Sequence, residues 1–384
     1  MKKVLLVSGI LLSTMCLSAQ TIYEAFESYK LEEQREIKIQ LPRNYEAEEN
    51  AEKQYPLFLV LDGDYMFEAV AGNVDYYSYW EDMPEAIVVG VNQADNRDDD
   101  IYYSEQNSLP VESGAQFFEF ITMELLPHLH SNYRLANFRV AVGHGETANF
   151  INYFLLKDDP LFQGYIAISP VLAPDMLDYL PQRMQKVDSK IFYYLATADG
   201  DIKAAKEDSE ALNNSISGIE NKNLLFNFDT FEGATHYSNP AHAIPKALES
   251  IFFVFQPISR KEYNEQILTL ETSPVDYLKE KYKVIDELFG LDKQILVNDF
   301  KAIEAAIEKK EQYEYYEELG KMARDAHPDT ILGHYYLGRY YEENGQPKKA
   351  MRTYRSAYIF EEIGGITKDM MLDKADAIKR DFGY

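Results

Sequence analysis

The chain is poor in cysteine and in positive charge. Its one cysteine, Cys16, lies close to the amino terminus. If the first residues are cleaved, disulfides, thiolate metal sites and a cysteine nucleophile are all excluded. The 384 residues include 38 Lys and Arg against 64 Asp and Glu, a formal net charge of −26. Because phosphate binding depends on clustered basic residues, this balance argues against a nucleic-acid partner and against an anionic membrane surface.

The amino terminus has the pattern of a secretory signal peptide. Lys2 and Lys3 precede an apolar run over residues 4–12, and small residues follow up to Ala19. We predict cleavage after Ala19 and a periplasmic or secreted protein, in which loss of the two lysines changes the formal charge from −26 to −28. After residue 20, no apolar run approaches the roughly 20 residues that a membrane span needs.

Short apolar runs and amphipathic segments alternate up to about residue 256. The runs are YPLFLVLDG (55–63), EAIVVGVN (85–92), FRVAVG (138–143), GYIAIS (164–169), KIFYYLATA (190–198) and LLFNFDTF (224–231). Runs that are apolar on both faces predict buried parallel strands. AQFFEFITMELLPHLH and NFINYFLL repeat apolar residues at helical spacing and predict crossover helices. QREIKIQLP (34–42) alternates apolar and polar residues, which predicts an antiparallel edge strand.

From residue 257 the pattern becomes helical. Residues 334–362 carry small and large residues at the positions of a tetratricopeptide repeat, namely Leu337, Gly338, Tyr341, Gly345, Ala350, Tyr354 and Ala357. A degenerate unit that ends near Pro328 precedes it. Since such repeats need neighbours to bury their faces, we predict either a protein partner on the repeat surface or a cap that only stabilises the first domain.

The segment RVAVGHGETANF (139–150) reads as a strand that enters a helix through a tight turn. In hydrolytic enzymes with such a turn, a serine at its apex is the nucleophile, in the motif G-x-S-x-G. The corresponding residues are Gly143, His144, Gly145, Glu146 and Thr147. Gly145 therefore stands at the nucleophile position, where the serine is absent.

Candidates for the other two catalytic groups lie later in the chain, in the order that α/β hydrolases use. His236 in FEGATHYS is the candidate base, and Asp199 in ATADGD is the first candidate for the acid that orients it. Asp201 is the second candidate. All three follow or end predicted strands, where parallel sheets place their sites.

Residues 22–256 resemble the putative esterase family of α/β hydrolases, which includes esterase D and the enterochelin esterases. The resemblance lies in six sequence blocks that occur in the same order as in the family. The blocks are YPLFLVLDGD, AIVVGVN followed by NRDDD, ELLPHLHSNYR, VAVGHG, LFQGYIAISP and EGATH. The resemblance implies an α/β-hydrolase fold with a mostly parallel sheet over residues 20–256. An all-α, tetratricopeptide-like domain over residues 257–384 resembles the helical tail of several members.

The family hydrolyses esters through Ser, His and Asp or Glu and uses no cofactor. The resemblance implies an oxyanion hole formed by the backbone N–H of Glu146 and by a second N–H near Asp64 or Tyr65. In this chain Thr147 and Ala148 replace the glycines usual after that position, so the whole turn has changed. The carboxylate of Glu146 would also repel the negative charge that develops during acyl transfer.

These departures predict a pseudoenzyme that works by binding a small ester-like, peptide or glycan ligand. The alternative is an active carboxylic-ester hydrolase that uses a displaced nucleophile or a water activated by His236 and Glu146. Thr147 is the candidate for a displaced hydroxyl, although a structural role in the first helical turn is the simpler interpretation.

Three further residues are candidates for ligand contact. Tyr79 and Trp80, in YYSYWE, lie where the family covers its pocket, and core packing is the alternative use for them. His144 flanks the apex of the turn and has a packed, hydrogen-bonded role as its alternative.

No metal site is predicted. His128 and His130 are two residues apart, and this spacing places them on different faces of a helix. Asn96 to Asp100 (NRDDD) lacks the spaced oxygens of a calcium loop, and we interpret it as a solvated loop at the rim of the site.

Overall fold

Eight strands form a single mixed sheet in the computed structural model, which describes residues 21–384. The predicted signal peptide and its cleavage site lie outside the described residues. The strands are β1 (Thr21–Ser28), β2 (Glu33–Gln40), β3 (Tyr55–Val60), β4 (Ile87–Val91), β5 (Leu135–His144), β6 (Gly164–Ile168), β7 (Ile191–Gly200) and β8 (Leu224–Thr235). Their order in the sheet is β1-β2-β4-β3-β5-β6-β7-β8.

The six strands from β3 to β8 are parallel, as the apolar runs predicted. Every residue of β3, β4 and β6 is buried, because helices cover both faces of the sheet. Leu57 and Leu59 enter the core on one face, and Phe58 and Val60 enter the core on the other.

The prediction of an edge strand at residues 34–42 is half correct. β2 pairs antiparallel with β4, as predicted, but it is not the edge, because β1 pairs along its outer side from Thr21 opposite Gln40. β1 carries the exposed edge that the alternating pattern had assigned to β2. Its sequence TIYEAFES is only half-buried and lacks the strong apolar face that would have revealed it.

The crossover helices predicted between the strands are confirmed. The helices of the sheet domain are α1 (Gly63–Tyr79), α2 (Arg97–Asp100), α3 (Glu112–Glu119), α4 (Leu126–Asn132), α5 (Glu146–Phe150), α6 (Asn152–Leu155), α7 (Met176–Met184), α8 (Lys203–Ile216) and α9 (Asn239–Ile251). A π-helical turn, Phe120–Leu125, joins α3 to α4. Helices α1 and α9 cover one face of the sheet and α3 to α8 cover the other or lie at its carboxyl edge.

The remainder of the chain is helical, as predicted. Its helices are α10 (Arg260–Glu262), α11 (Pro274–Phe289), α12 (Val297–Lys310), α13 (Tyr316–Ala326), α14 (Leu332–Glu343), α15 (Pro347–Ser356) and α16 (Lys368–Phe382). Within residues 21–384, no helix has both the length and the apolar character that a membrane span requires.

Helix α11 joins the helical tail to the sheet domain. Its last turn inserts Phe289 among the aromatic side chains under the sheet, with the ring of Phe138 at 5.0 Å between centroids. Its first turns place Val275 and Leu278 in the separate core of the tail. Because one helix contributes to both cores, the tail is attached by apolar packing as well as by the chain.

The predicted repeat depends on a close approach between α14 and α15. A Cβ atom added to Gly338 would lie 2.2 Å from a ring carbon of Tyr354. We expect Gly338→Ala to lower the free energy of unfolding by at least about 2 kcal/mol, as overpacking of a core does. Gly72→Ala is the matched control, because its Cβ meets nothing within 4 Å, and we expect it to stabilise by about 0.5–1 kcal/mol. Urea unfolding followed by circular dichroism distinguishes the two; equal effects would contradict the packing described.

Candidate active-site cavity

The turn between β5 and α5 has the backbone of a strained strand-to-helix elbow. Gly145 at its apex has φ 64° and ψ −124°, a conformation that costs a non-glycine residue about 1–3 kcal/mol. Its N–H donates to Ile168 O at 3.0 Å, and its carbonyl accepts from Val171 N at 3.1 Å. The turn is therefore held firmly in a shape whose apex faces the carboxyl edge of the sheet.

His236 lies above this apex, and its partner is Asp201. His236 Nδ1 lies 2.7 Å from Asp201 Oδ1, so the aspartate beside His236 is the second candidate of the sequence and not the first, Asp199. The reason is a register shift between β7 and β8 at residues 198–200. It turns the Asp199 carboxylate toward β8, where it accepts from Gly233 N at 2.8 Å.

Hydroxyl groups hold the carboxylate of Asp201 in place. Ser169 Oγ donates to it at 2.6 Å and Thr197 Oγ1 at 2.9 Å. Asn239 Nδ2 supports Ser169 Oγ at 2.8 Å. Burial alone would raise the pKa of Asp201, but the hydrogen bonds from His236, Ser169 and Thr197 outweigh it and lower the pKa to about 2. Asp201 is therefore a fixed anion at neutral pH.

This lowered pKa makes stability depend on pH. A carboxyl group whose folded-state pKa lies below its ordinary value of 3.8 stabilises the fold above that value, and the contribution is lost as the pH falls toward 2. We expect Asp201→Asn to be less stable than the unmodified protein by about 2 kcal/mol at pH 6. The difference should shrink between pH 4 and pH 3 in urea unfolding. Asp199→Asn, which changes an exposed carboxylate, is the matched control and should show no such gap.

The hydrogen bond to Asp201 also fixes the tautomer of His236. Because an ionised carboxylate only accepts, Nδ1 carries the proton and Nε2 presents its lone pair. A Cβ atom at position 145 would lie 3.7 Å from Nε2. No hydrogen bond reaches Nε2 from residues 21–384. His236 is thus placed to act on a group at the apex, where glycine supplies none.

Arg97 is the residue that sequence reasoning missed. The expectation of a solvated loop at residues 96–100 is wrong, because these residues form α2 and Asp100 is buried against Arg35 at 2.5 Å. Arg97 turns into the site and its Nη2 would lie 3.6 Å from a Cβ at Gly145. The available signal was a lone arginine just beyond the carboxyl end of a predicted parallel strand.

Two carboxylates hold the guanidinium of Arg97. Its Nε donates to Asp62 Oδ1 at 2.6 Å, and its Nη1 donates to Glu146 Oε2 at 2.9 Å. Its Nη2 also reaches His144 O at 3.2 Å. Burial alone would lower the pKa of Arg97, but Asp62 and then Glu146 raise it well above its ordinary range. The guanidinium is a permanent, compensated charge.

Glu146, whose N–H is the first predicted oxyanion donor, lines the cavity and pairs with Arg97. Burial would raise its pKa, but its own backbone N–H and the guanidinium of Arg97 act more strongly and lower it. The residue whose N–H the resemblance assigns to the oxyanion therefore carries an anionic side chain. Glu146 lies at the cavity, as predicted, but it brings negative charge to a position where a hydrolase needs positive charge.

Of the two candidates for the second oxyanion donor, the N–H of Tyr65 is already bonded. Tyr65 N donates to Asp62 O at 3.1 Å within the first turn of α1. The carboxylate of Asp64 turns away from the apex and accepts from Gln93 N and Ala94 N at 2.6 and 3.0 Å. Tyr65 lines the cavity with its side chain, whereas Asp64 does not.

Thr147 is a structural residue. It is fully buried, its Oγ1 donates to Asp62 Oδ2 at 2.6 Å, and the same oxygen accepts from His144 N at 2.9 Å. A hydroxyl that is buried and bonded on both sides cannot approach a ligand in the cavity. This geometry agrees with the structural interpretation of Thr147 and removes it as a displaced nucleophile.

His144 is also fully bonded. Nε2 lies 3.1 Å from His236 O and, because a carbonyl only accepts, Nε2 carries the proton. Nδ1 then accepts from Tyr65 Oη at 2.9 Å. Burial, followed by the nearby ring of His236, lowers the pKa of His144 to about 4, so it is neutral at neutral pH. It supports His236 from below, with 4.4 Å between ring centroids.

A cavity of about 420 Å³ opens above Gly145. It is lined by Tyr65, Arg97, His144, Glu146, Ile202, His236 and Tyr237. Tyr79 and Trp80, predicted at the ligand, are instead at the opposite end of α1, about 24 Å from its first residue at 1.5 Å per residue. Both are more than half exposed, so neither ligand contact in this cavity nor core packing describes them.

In the part of the chain that the structure describes, no group of three or more His, Cys, Asp or Glu side chains could hold a metal ion. His128 instead lies 3.3 Å from the carboxylate of Glu24.

A mostly parallel sheet, an elbow after a central strand and a His–Asp pair at its carboxyl edge define an α/β hydrolase. The family model described as putative esterase matches residues 28–221, about half of the chain. The chain belongs to the putative esterase family. No curated protein matches it.

Solved structures support the same fold. An uncharacterised protein from Capnocytophaga ochracea is similar at 30% identity and a TM-score of 0.84, over 94% of this chain and 100% of that one. The match therefore includes most of the helical tail. An IroE-like serine hydrolase from Shewanella oneidensis is similar at 22% identity and a TM-score of 0.59, over 79% of this chain and 98% of that one.

Proposed function

We propose that this chain is a non-catalytic member of the putative esterase family that binds a small ligand in the cavity above Gly145. The observation that carries the proposal is the apex itself. The elbow keeps its strained backbone and His236 keeps its position, but the atom on which His236 would act is missing.

Acyl transfer needs both a nucleophile and donors that stabilise the developing oxyanion. Gly145 supplies no nucleophile, and Thr147 is buried and bonded. The carboxylate of Glu146, held by Arg97, lines the cavity and adds negative charge beside the turn. Both requirements fail at the same turn, which favours the loss of the reaction over its transfer to another residue.

The cavity remains suitable for binding. Its volume of about 420 Å³ lies in the range of small-molecule sites, roughly 300–1,000 Å³. Its polar groups are fixed before any ligand arrives, His236 by Asp201 and Arg97 by Asp62. Such preorganisation reduces the entropic cost of binding. Ester-like, peptide and glycan ligands all fit a site of this size.

A second candidate function is hydrolysis by a water that His236 activates. The intact His236–Asp201 pair favours it, because this pair is the base of the family's reaction. Glu146 would contribute little as a base, since its pKa is lowered and its carboxylate is paired with Arg97.

Ester hydrolysis kinetics distinguish the two candidates. We expect the unmodified protein and His236→Ala to hydrolyse 4-nitrophenyl butyrate at the same rate, close to that of buffer. His242→Ala, which changes an exposed histidine on α9, is the matched control. Turnover by the unmodified protein that survives in His242→Ala and disappears in His236→Ala would refute the non-catalytic proposal.

We also propose that the protein acts after export, in the periplasm or outside the cell, and that the surface of its helical tail contacts a protein partner. The lysines and apolar run before Ala19 support export. Protein recovered from its cells should begin at Gln20 by mass spectrometry; a mature chain that retains Met1 or residues 2–19 would contradict export.

A third possibility is a purely structural scaffold. Such a protein would bind its partner with the same affinity after substitutions in the cavity.

A further inference from the structure

We infer that the ligand of the cavity carries a positively charged organic ammonium group, which binds between the carboxylate of Glu146 and the Nε2 atom of His236. The inference rests on the proposed function and narrows it to a ligand class. It depends on the acceptors, the charge and the walls of the cavity.

Two polar groups at the base of the cavity offer acceptor atoms, the carboxylate of Glu146 and Nε2 of His236. His236 donates its Nδ1 proton to the carboxylate of Asp201, so in the neutral ring Nε2 offers a lone pair toward the apex. The Glu146 side chain is 45% exposed, and only one of its oxygens is bonded to Arg97. An ammonium group supplies several N–H donors and matches both acceptors at once.

The balance of charge at the site also favours a cation. The guanidinium of Arg97 pairs with the carboxylates of Asp62 and Glu146, and a third carboxylate, Asp201, lies behind His236. The three carboxylates outnumber the one guanidinium. The low pKa of His144 keeps that ring neutral, so it does not offset them. The protein as a whole, at −26, attracts cations to the cavity mouth.

The guanidinium of Arg97 does not provide a ready anion site. Its Nε and Nη2 are directed at Asp62, which is only 2% exposed, and its Nη1 is directed at Glu146. A ligand carboxylate would have to displace Glu146 and leave that charge unpaired. A ligand ammonium needs no such displacement.

The walls of the cavity suit the organic part of such a ligand. Tyr65 and Tyr237 are aromatic, and Ile202 is aliphatic; all three are exposed, Tyr237 by 87%. Aromatic faces attract cations as well as apolar groups. Aromatic walls combined with two acceptors at the base, Glu146 and His236 Nε2, are the chemistry that recognises an alkyl- or arylammonium ion.

Calorimetric titration of the full chain with three compounds that share one skeleton tests the inference. The probes are 3-phenylpropylammonium, 3-phenylpropionamide and 3-phenylpropionate, at pH 7.5 and constant ionic strength. We expect the ammonium compound to bind most tightly. Glu146→Gln should weaken its binding about fivefold and leave binding of the amide unchanged. Glu287→Gln, an exposed acid on α11, should change neither.

The outcomes separate the two proposals. Tightest binding by 3-phenylpropionate, or ammonium binding that Glu146→Gln leaves unchanged, would overturn the ligand class but leave binding at the cavity standing. A failure of the ammonium compound to bind at all would also overturn the inference. Ester turnover that depends on His236 would instead overturn the proposed function.

Discussion

Gly145→Ser is expected to make the protein react covalently with an alkyl fluorophosphonate. The unmodified protein should remain unlabelled by the same reagent. A Cβ at position 145 lies 3.7 Å from His236 Nε2, so one rotamer brings a serine Oγ within hydrogen-bonding distance of the base. The elbow already has the required backbone, with φ at 64°. Intact-mass spectrometry after labelling measures the fraction of protein that carries the phosphonate.

The rate of ester hydrolysis should rise with the same substitution. Removal of the serine from a working triad lowers kcat by about 10⁶-fold, so recovery of even a small part of that loss gives about a 10²-fold increase. Glu146→Gly in the same chain should raise the rate further, because it removes a negative charge from the cavity beside the turn.

Two control variants isolate the role of the hydroxyl. Gly145→Ala imposes the same backbone strain without an oxygen and should remain unlabelled. Gly145→Ser combined with His236→Ala retains the oxygen without its base and should label far more slowly. Stoichiometric labelling of the unmodified protein would show that a nucleophile exists elsewhere in the site.

Arg97→Ala is expected to lower the free energy of unfolding by about 3 kcal/mol, because it leaves a buried carboxylate without its cation. Asp62 is 2% exposed and receives two hydrogen bonds from the guanidinium. Thr147 and Tyr65 also contact this carboxylate, but neither supplies a charge. Urea unfolding at pH 7 measures the loss.

The matched control is Arg43→Ala. Arg43 also makes two hydrogen bonds to one aspartate, Asp75, but this pair lies at the surface, with about half of the Arg43 side chain exposed. Exposed ion pairs contribute about 0–1 kcal/mol. Arg97→Ala with Asp62→Asn should recover part of the lost stability, since it removes the stranded charge. Equal losses in Arg43→Ala and Arg97→Ala would contradict the role assigned to the Asp62 pair.

The parallel core of the fold could be predicted because its strands carry their own signal. β3, β4 and β6 are buried on both faces, so their sequences are apolar throughout and leave little ambiguity. β1 has no such signal, since only one of its eight residues is buried at the sheet edge. Its existence follows from pairing with β2, which is a property of the assembled sheet.

The parts of the site that depend on the order of residues along the chain could be predicted. The part that depends on the register between two strands could not. The elbow at Gly145 and the base at His236 follow from motif and order. The choice between Asp199 and Asp201 depends on a two-residue register shift between β7 and β8, which no local pattern of residues reveals.

Arg97 and Trp80 show the same limit of sequence-based prediction: Arg97 lies in the cavity although it was not predicted there, and Trp80 was predicted there but lies elsewhere. Three aspartates after Arg97 give the segment the composition of a solvated loop, yet the charge of the buried Asp62 draws the guanidinium inward. Trp80 has the composition of a binding residue, but α1 is 17 residues long and carries it away from the cavity. Long-range electrostatics and helix length are set by the fold as a whole.

The central claim is that the cavity binds a ligand and has lost acyl transfer. Proton NMR of a butyrate ester whose alcohol part carries an ammonium group, 4-(aminomethyl)benzyl butyrate in its protonated form, tests both parts, because it shows line broadening on binding and new signals on hydrolysis. We expect its signals to broaden in the presence of equimolar protein, and we expect the ester to disappear over one day no faster than in buffer alone. Rapid, stoichiometric release of butyrate by the unmodified protein would contradict the account.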